Sequence, residues 1–242
     1  MNEQIFLGKW TSESLDLLLK KASEIHSQGE RIGFLSKQFL DTKYKEATLT
    51  GDADTPEVFV INLERVDCLT FIEYIEAMRR SLSFDEFRGN LMRVRYRSGL
   101  PAFKNRNHFF TDWKAFNSDM ISDVTKHIAA RKSKDVSKRL NEKHDGSFFL
   151  PGIQCRLREV TYIQTINLDD TILAKLETGD YVGIYSKTDG LDVSHTGIIV
   201  KQNNTVFFRH ASSLKKHMKV LDEELMDYLK SKPGIIVLRP GE

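Results

Sequence analysis

The amino-acid sequence predicts an α+β fold. Apolar residues at helical spacing dominate the N-terminal part, and short β-rich segments separated by turn signals fill the C-terminal third. The chain has 242 residues, 40% hydrophobic and 29% charged, which is ordinary globular composition for one large core or a core with an elaboration.

Residues 11–28 read as a first helix, because Leu15, Leu18, Leu19, Ala22 and Ile25 recur on one face and Ser12 or Ser14 can cap it. Gly29 and Gly33 end that pattern, and a second short helix is expected within 34–50. Val58–Leu63 reads as a buried strand. A helix then opens at Cys68, with Leu69, Phe71, Ile72, Ile75 and Met78 on its inward stripe. Residues 90–165 lack clear periodicity. They hold Arg95, Arg97 and Arg106 among Tyr96, Phe109 and Trp113, followed by a polar helix over roughly 114–132 and a charged loop around 133–146. Strands follow at 179–185, 195–201, 205–210 and 235–238, with a helix at 222–230 before the last. Asp189-Gly190 and Asn203-Asn204 supply the turns.

Composition excludes several classes. A formal net charge of +2 argues neither for nor against nucleic acid, no dense Lys/Arg block dominates the sequence, and nucleic-acid binding is a distant third reading that rests only on the Arg/Tyr cluster. No apolar run approaches the roughly 18–20 residues that span a bilayer. Met1-Asn2-Glu3-Gln4-Ile5 lacks the basic start and apolar stretch of a signal peptide, which leaves a cytoplasmic protein or one whose signal lies outside this sequence. Two cysteines, Cys68 and Cys155, exclude a disulfide-rich scaffold and an all-cysteine zinc site. A disulfide between them would be incompatible with a reactive Cys68.

Val66-Asp67-Cys68-Leu69-Thr70 places a thiol at a helix start. There the positive end of the macrodipole and unpaired N–H groups favour thiolate, the nucleophilic form. Asp67, a charge at the same helix start, and two strand histidines argue against a merely packed cysteine. If strands 195–201 and 205–212 are joined through Asn203-Asn204, Gln202 pairs with Thr205, His195 faces Ser212, and His210 lies one diagonal step away. A turn at Gln202-Asn203 instead sets His195 opposite His210. Cys68 is thus the candidate nucleophile, His195 the general base and later acid, and His210 the orienting group. A zinc site on the same three residues also fits their ligand types. In the 90–165 segment, Arg95, Tyr96, His108 and Trp113 are candidates for an anionic, sugar-bearing ligand, arginine for carboxylates and aromatic faces for rings. The alternative is a surface loop whose aromatics cover the core.

Together these motifs resemble the NlpC-type cysteine peptidases, a papain-like superfamily acting on bacterial cell-wall peptides. Asp67-Cys68, Gly179-Asp180, His195-Thr196-Gly197-Ile198 and His210-Ala211 carry the likeness. The cysteine-first order separates the chain from permuted, histidine-first relatives. Leu69-Thr70 replaces the Ser-Gly usual after Asp-Cys. A closer resemblance, to the AmiA-type branch, rests on Val66 through Phe71, Arg95-Tyr96-Arg97-Ser98-Gly99, Arg106 through Trp113, and Gly190-Leu191-Asp192-Val193-Ser194-His195. It implies a papain-like NlpC-type core, with the nucleophile-bearing helix packed on an antiparallel sheet and a helical and loop insertion. Residues 1–242 would form a single catalytic domain, with 1–50 an N-terminal helical elaboration and 90–165 an insertion contributing to the substrate cleft.

The implied activity is an N-acetylmuramoyl-L-alanine amidase acting on muropeptides, including the anhydro-sugar form. Cys68, His195 and His210 would be catalytic, and Asp67, Arg95, Tyr96, His108, Trp113, Asp192 and Ser194 would contact substrate. No metal or organic cofactor is required, no nucleic acid is a partner, and the implied location is the periplasm or cell envelope, the cytoplasm being the alternative. An endopeptidase cutting between D-glutamate and diaminopimelate, and a non-catalytic wall- or glycan-binding module with an inert Cys68, are the competing readings.

Overall fold

In the computed structural model, which describes residues 2–241, the chain is mixed α+β, with eight α-helices and twelve strands among the described residues. It divides into two units, Met1–Asn107 with Arg209–Asp222, and His108–Phe208 with Glu223–Glu242. The segment 90–165 therefore crosses the boundary between them.

In the first unit, β1 (Glu3–Phe6) is parallel to a later strand described below. Helix α1 (Ser12–Ser23) is capped not by Ser12 or Ser14 but by Thr11, whose Oγ1 accepts from the Ser14 N–H at 3.2 Å. Ser14 Oγ accepts from the Thr11 N–H in return at 2.8 Å. Helix α2 (Gln28–Lys37) runs through Gly29 and Gly33, where a helix end is expected from the sequence. Ser27 starts it by accepting from the Glu30 N–H at 3.3 Å, and a glycine inside a helix weakens it by about 1 kcal/mol without breaking it. Strand β2 (Lys43–Tyr44) then occupies part of the span expected to be helical. Strand β3 (Phe59–Asn62) pairs with β1, Glu3 opposite Phe59. Strand β4 (Arg65–Val66) lies parallel to β2, Tyr44 opposite Val66, and leads directly into helix α3 (Cys68–Arg79). Helix α4 (Phe84–Arg95) follows, capped by Ser83.

Helix α3 is buried on every side rather than along one stripe. Each residue from Thr70 to Arg79 is buried, Glu73, Glu76 and Arg79 included. Ionised side chains enter such surroundings only when paired and hydrogen-bonded. Arg95 Nε donates to Glu73 Oε2 at 2.7 Å, and its Nη1 donates to the Val60 carbonyl at 2.6 Å. Arg79 grips Glu76 with two bonds of 2.6 and 2.7 Å and reaches Gln28 Oε1 at 2.9 Å. Leu69, placed on the inward stripe by the sequence, is only half-buried.

In the second unit, α5 (Phe110–Phe116), β5 (Ile121–Asp123) and α6 (Thr125–Ala129) stand where one polar helix is expected. Strand β6 (Ser133–Leu140) stands where the sequence reads a charged loop. It pairs along its whole length with β7 (Arg156–Gln164), Ser133 opposite Ile163 and Leu140 opposite Arg156. Helix α7 (Asp170–Lys175), capped by Asp169, precedes β8 (Tyr181–Tyr185) and β9 (Val193–Gln202). Strand β10 (Thr205–Ser212) begins in this unit and leaves it after Phe208. The turn between β9 and β10 is Asn203-Asn204, both with positive φ (46° and 67°), the two-residue primed turn of a tight hairpin. Strand β11 (Lys219–Glu224) pairs Lys219 with Lys43 of β2, inside the first unit. Helix α8 (Leu225–Leu229) and β12 (Gly234–Pro240) complete the chain.

The second unit's sheet runs β9-β8-β12-β7-β6, all antiparallel, with β5 also on β12. Val182, Ile184, Ile235 and Val237 point to a core closed by Ile128, Ile172 and Leu225 from the helices. Tyr181 and Gly183 alternate to the other face, where α5 packs. A Cβ on Gly183 would lie 2.6 Å from the Phe110 ring, so this approach requires glycine. Among the described residues, no helix is long and apolar enough to cross a membrane.

The Glu73–Arg95 pair should therefore be a large term in stability. Arg95→Met or Glu73→Leu alone, each leaving a buried charge, is expected to cost about 3–5 kcal/mol, and the double substitution far less than the sum. A urea-denaturation double-mutant cycle checks this; additive losses would show the pair to be uncoupled.

Candidate active site

Asp67 supplies the cap that sets Cys68 in place. Its backbone is extended (φ −98°, ψ −178°), and its Oδ1 accepts from both the N–H and the hydroxyl of Thr70 at 2.8 Å. Thr70 Oγ1 accepts in turn from the Asp67 N–H at 3.0 Å, closing a capping box. Cys68 is thus the first helical residue, where backbone N–H groups are not used within the helix and the dipole favours negative charge. It is half-exposed, as is Cys155, and no disulfide links the two. Burial pushes the Asp67 carboxyl up, while the Thr70 bonds and the Arg95 guanidinium pull it back.

Tyr44 joins this group, and the sequence reading missed it. The β2–β4 ladder sets Tyr44 opposite Val66, two residues before Cys68. Burial first, then the negative charge of ionised Cys68, Asp67 and Glu46, push the Tyr44 phenol up to about 12. The hydroxyl therefore keeps its proton at neutral pH and remains a hydrogen-bond donor within electrostatic reach of the Cys68 sulfur. Only the strand pairing reveals this, because 34–50 carries a helical pattern.

The other first-unit candidates are deeply placed. His210 is buried on β10 beside Arg209, whose guanidinium binds Asp222 through two bonds of 2.7 Å and also donates to the Gly33 carbonyl. Arg95 is held by Glu73 and Val60. Tyr96 is fully buried and donates its hydroxyl to Glu57 Oε1 at 2.6 Å, and Arg106 Nε donates to the same oxygen at 2.9 Å. Within the basic and aromatic cluster that the sequence offers for an anionic ligand, Arg95 pairs with Glu73 and Arg106 with Glu57.

In the second unit, His195 lies opposite Ile184 on β9 and is half-buried. The register slips between Ile184–His195 and Tyr185–Val193, which makes exposed Ser194 the extra residue of a β-bulge. Such a bulge re-aims the next side chain. The His195 ring stands 6.2 Å from Phe208, edge-on at 70°, and 6.2 Å from Tyr228 at 33°.

Asp192, 1% exposed, holds the start of that strand. Its Oδ2 accepts from the N–H and hydroxyl of Thr111, both at 2.7 Å, and its Oδ1 accepts from the Val193 N–H at 2.7 Å. Burial raises its carboxyl and these bonds lower it. Trp113 is fully buried, stacked on Phe110 and edge-on to Tyr181 at 5.2 Å. Asp192 and Trp113 thus serve internal contacts, whereas His108, in the loop before α5, is half-exposed. The candidates divide between the units: Asp67, Cys68, Arg95, Tyr96 and His210 in the first, His108, Trp113, Asp192, Ser194 and His195 in the second. Among the described residues, no group of three or more His, Cys, Asp or Glu side chains is arranged to hold a metal ion.

The family model for AmiA-like proteins, described as N-acetylmuramoyl-L-alanine amidase-like, matches residues 34–235. No curated protein matches the chain. Among solved structures it is similar to an N-acetylmuramoyl-L-alanine amidase from Bacteroides uniformis ATCC 8492, at 28% identity and TM-score 0.75, over 89% of this chain and 99% of that one. It is also similar to a Bacteroides fragilis protein named a xylanase, at 30% identity and TM-score 0.70, over 84% of this chain and 98% of that one. A protein from Legionella pneumophila str. Philadelphia 1 shares the fold at TM-score 0.80 and 23% identity, over 96% of this chain and 94% of that one.

Tyr44 makes a prediction about alkaline pH. Its folded phenol titrates at about 12 against an ordinary value of 10.0, so this contribution to stability is complete below pH 10 and is lost as the pH rises through 12. Denaturation of the wild type and Tyr44→Phe between pH 9 and 12 should show the variant losing less. Parallel profiles would mean that Tyr44 is fully solvated.

Proposed function

The chain belongs to the AmiA-like, N-acetylmuramoyl-L-alanine amidase-like family, and from that premise we propose that it hydrolyses the amide between the lactyl group of N-acetylmuramic acid and L-alanine in muropeptides. The observation that carries a cysteine mechanism is the half-exposed Cys68 thiol at the first position of α3, held there by the Asp67 capping box. A cysteine serving only as packing has no need of a capped, solvent-reachable helix N-terminus.

In this reading the Cys68 thiol gives its proton to His195, and the sulfur attacks the lactyl carbonyl. The Cys68 backbone N–H and the Tyr44 hydroxyl stabilise the oxyanion. Collapse of the tetrahedral adduct breaks the C–N bond, and His195 passes its proton to the departing amine of L-alanine. Water, deprotonated by His195, then hydrolyses the thioester, releasing the lactyl carboxylate and restoring the thiol. His210 orients the His195 ring. His108 and Ser194, both solvent-accessible, remain candidates for substrate contact. Arg95, Tyr96, Trp113 and Asp192 act behind the site, because their side chains serve buried internal contacts. A muropeptide hydrolase meets its substrate in the periplasm or cell envelope, and recycled fragments would also bring it into the cytoplasm.

Mass spectrometry of products from a disaccharide–tetrapeptide tests this. Wild type should yield free disaccharide and intact tetrapeptide, Cys68→Ala and His195→Ala should lose turnover by at least about a thousandfold, and His210→Ala should retain a residual rate. A sugar-linked dipeptide would move the cut to the bond between D-glutamate and diaminopimelate. Full activity in Cys68→Ala would sink the cysteine mechanism. Xylan cleavage that survives in Cys68→Ala would favour the activity that names the Bacteroides fragilis relative.

A further inference from the structure

Beyond His195 on the second unit stand two side chains that the hydrolysis does not use. Tyr228, on α8, is half-buried, its ring centroid 6.2 Å from that of His195. Lys232, just past the helix, holds its ammonium 5.4 Å from the centroid of the same Tyr228 ring. Its backbone is anchored at both groups: the N–H donates to the Leu229 carbonyl at 2.9 Å, and the carbonyl accepts from Thr165 Oγ1 at 2.7 Å. The side chain therefore departs from a fixed point. Among the described residues no carboxylate pairs with the Lys232 ammonium, and Asp227 of the same helix is taken by Lys230 at 2.7 Å. A half-buried aromatic ring, which also packs 4.9 Å from the Phe208 ring, and a cation with no carboxylate partner among the described residues thus follow one another from the imidazole.

We infer that Tyr228 and Lys232 form a subsite for the departing peptide, the Tyr228 ring packing its first residue and the Lys232 ammonium binding a carboxylate carried by the second. This rests on the amidase reading and gives it a specificity. If His195 protonates the leaving amine, that nitrogen lies beside the imidazole, and the groups just beyond meet the peptide rather than the sugar. The first residue offers only a methyl group. The second, a D-glutamate linked through its γ-carboxyl, leaves its α-carboxyl free. Two extended residues span at most about 7 Å, comparable with the separation of His195 from Tyr228, and the flexible four-carbon stem of lysine covers the rest. Lysine suits this role because it presents a compact charge to a carboxylate at the edge of solvent.

The test compares kcat/KM for two muropeptides that differ only in that α-carboxyl, free in one and amidated in the other. Wild type is expected to favour the free acid about fivefold, as suits one solvent-edge ion pair. Lys232→Met should bring the ratio to about 1, and Lys232→Glu should invert it. Because both substrates meet the same enzyme, the ratio reads recognition even if a variant is less stable. Tyr228→Ala should raise KM for both peptides, with Tyr228→Phe restoring it. Equal use of the two peptides by wild type, or a preference that survives both Lys232 variants, would overturn the subsite and leave the amidase reading standing. Cleavage of neither peptide would overturn both.

Discussion

Burying a helix on all sides obliges its polar residues to be neutralised from outside, and α3 is governed by that obligation. Glu73, Glu76 and Arg79 lie on faces that the apolar stripe does not cover, and each is almost wholly removed from water. An isolated carboxylate there would be prohibitively costly, so Arg95 at the end of α4 must be present, and it spends a second donor on the Val60 carbonyl of β3. One guanidinium thereby ties the helix, the following helix and the preceding strand. Arg79 does the same toward α2 through Gln28. The consequence for chemistry is positional: Cys68 sits at the end of an element whose axis is pinned by directional charge-assisted bonds rather than by sliding apolar contacts.

The second unit solves a parallel problem differently. Asp192 is as buried as Glu73, but its hydrogen bonds come from two N–H groups and a hydroxyl rather than from a guanidinium. Those donors belong to the first turn of α5 and to the start of β9, so the carboxylate locks together the segments before Trp113 and before His195. The bulge at Ser194 lies immediately beyond that lock. In both units a buried carboxylate stands behind a candidate catalytic residue, and burial pushes each carboxyl up while its partners pull it back. The same principle accounts for the basic cluster of Arg95, Tyr96 and Arg106: charge that looks available in a sequence is consumed internally when the chain brings its own carboxylates alongside.

Local signals were legible where a residue's own chemistry decides the backbone. Asp67 followed by Thr70 marks a helix start, Asn203-Asn204 marks a tight hairpin, and the apolar runs at 59–62, 181–185 and 235–238 mark strands, because caps, positive-φ turns and β-branched runs act within a few residues. The α+β class and the position of Cys68 on its helix followed from these. Strand β6 did not, since Ser-Lys-Asp-Val-Ser-Lys-Arg carries no apolar alternation and becomes a strand only through its ladder with β7. Helix α2 was misplaced because glycine reads as a stop, although packing and the Ser27 cap outweigh its modest penalty.

The sequence by itself determined the helix that presents the Cys68 thiol and the strand that carries His195, for these depend on short-range capping and periodicity. Tertiary structure alone decided which partners the remaining polar residues meet. That Arg95 meets Glu73, that Asp192 meets Thr111 and that Tyr44 comes near Cys68 depends on contacts between residues 22 to 81 positions apart. No local pattern encodes those meetings. They are set by which buried charges must find partners once the core has closed.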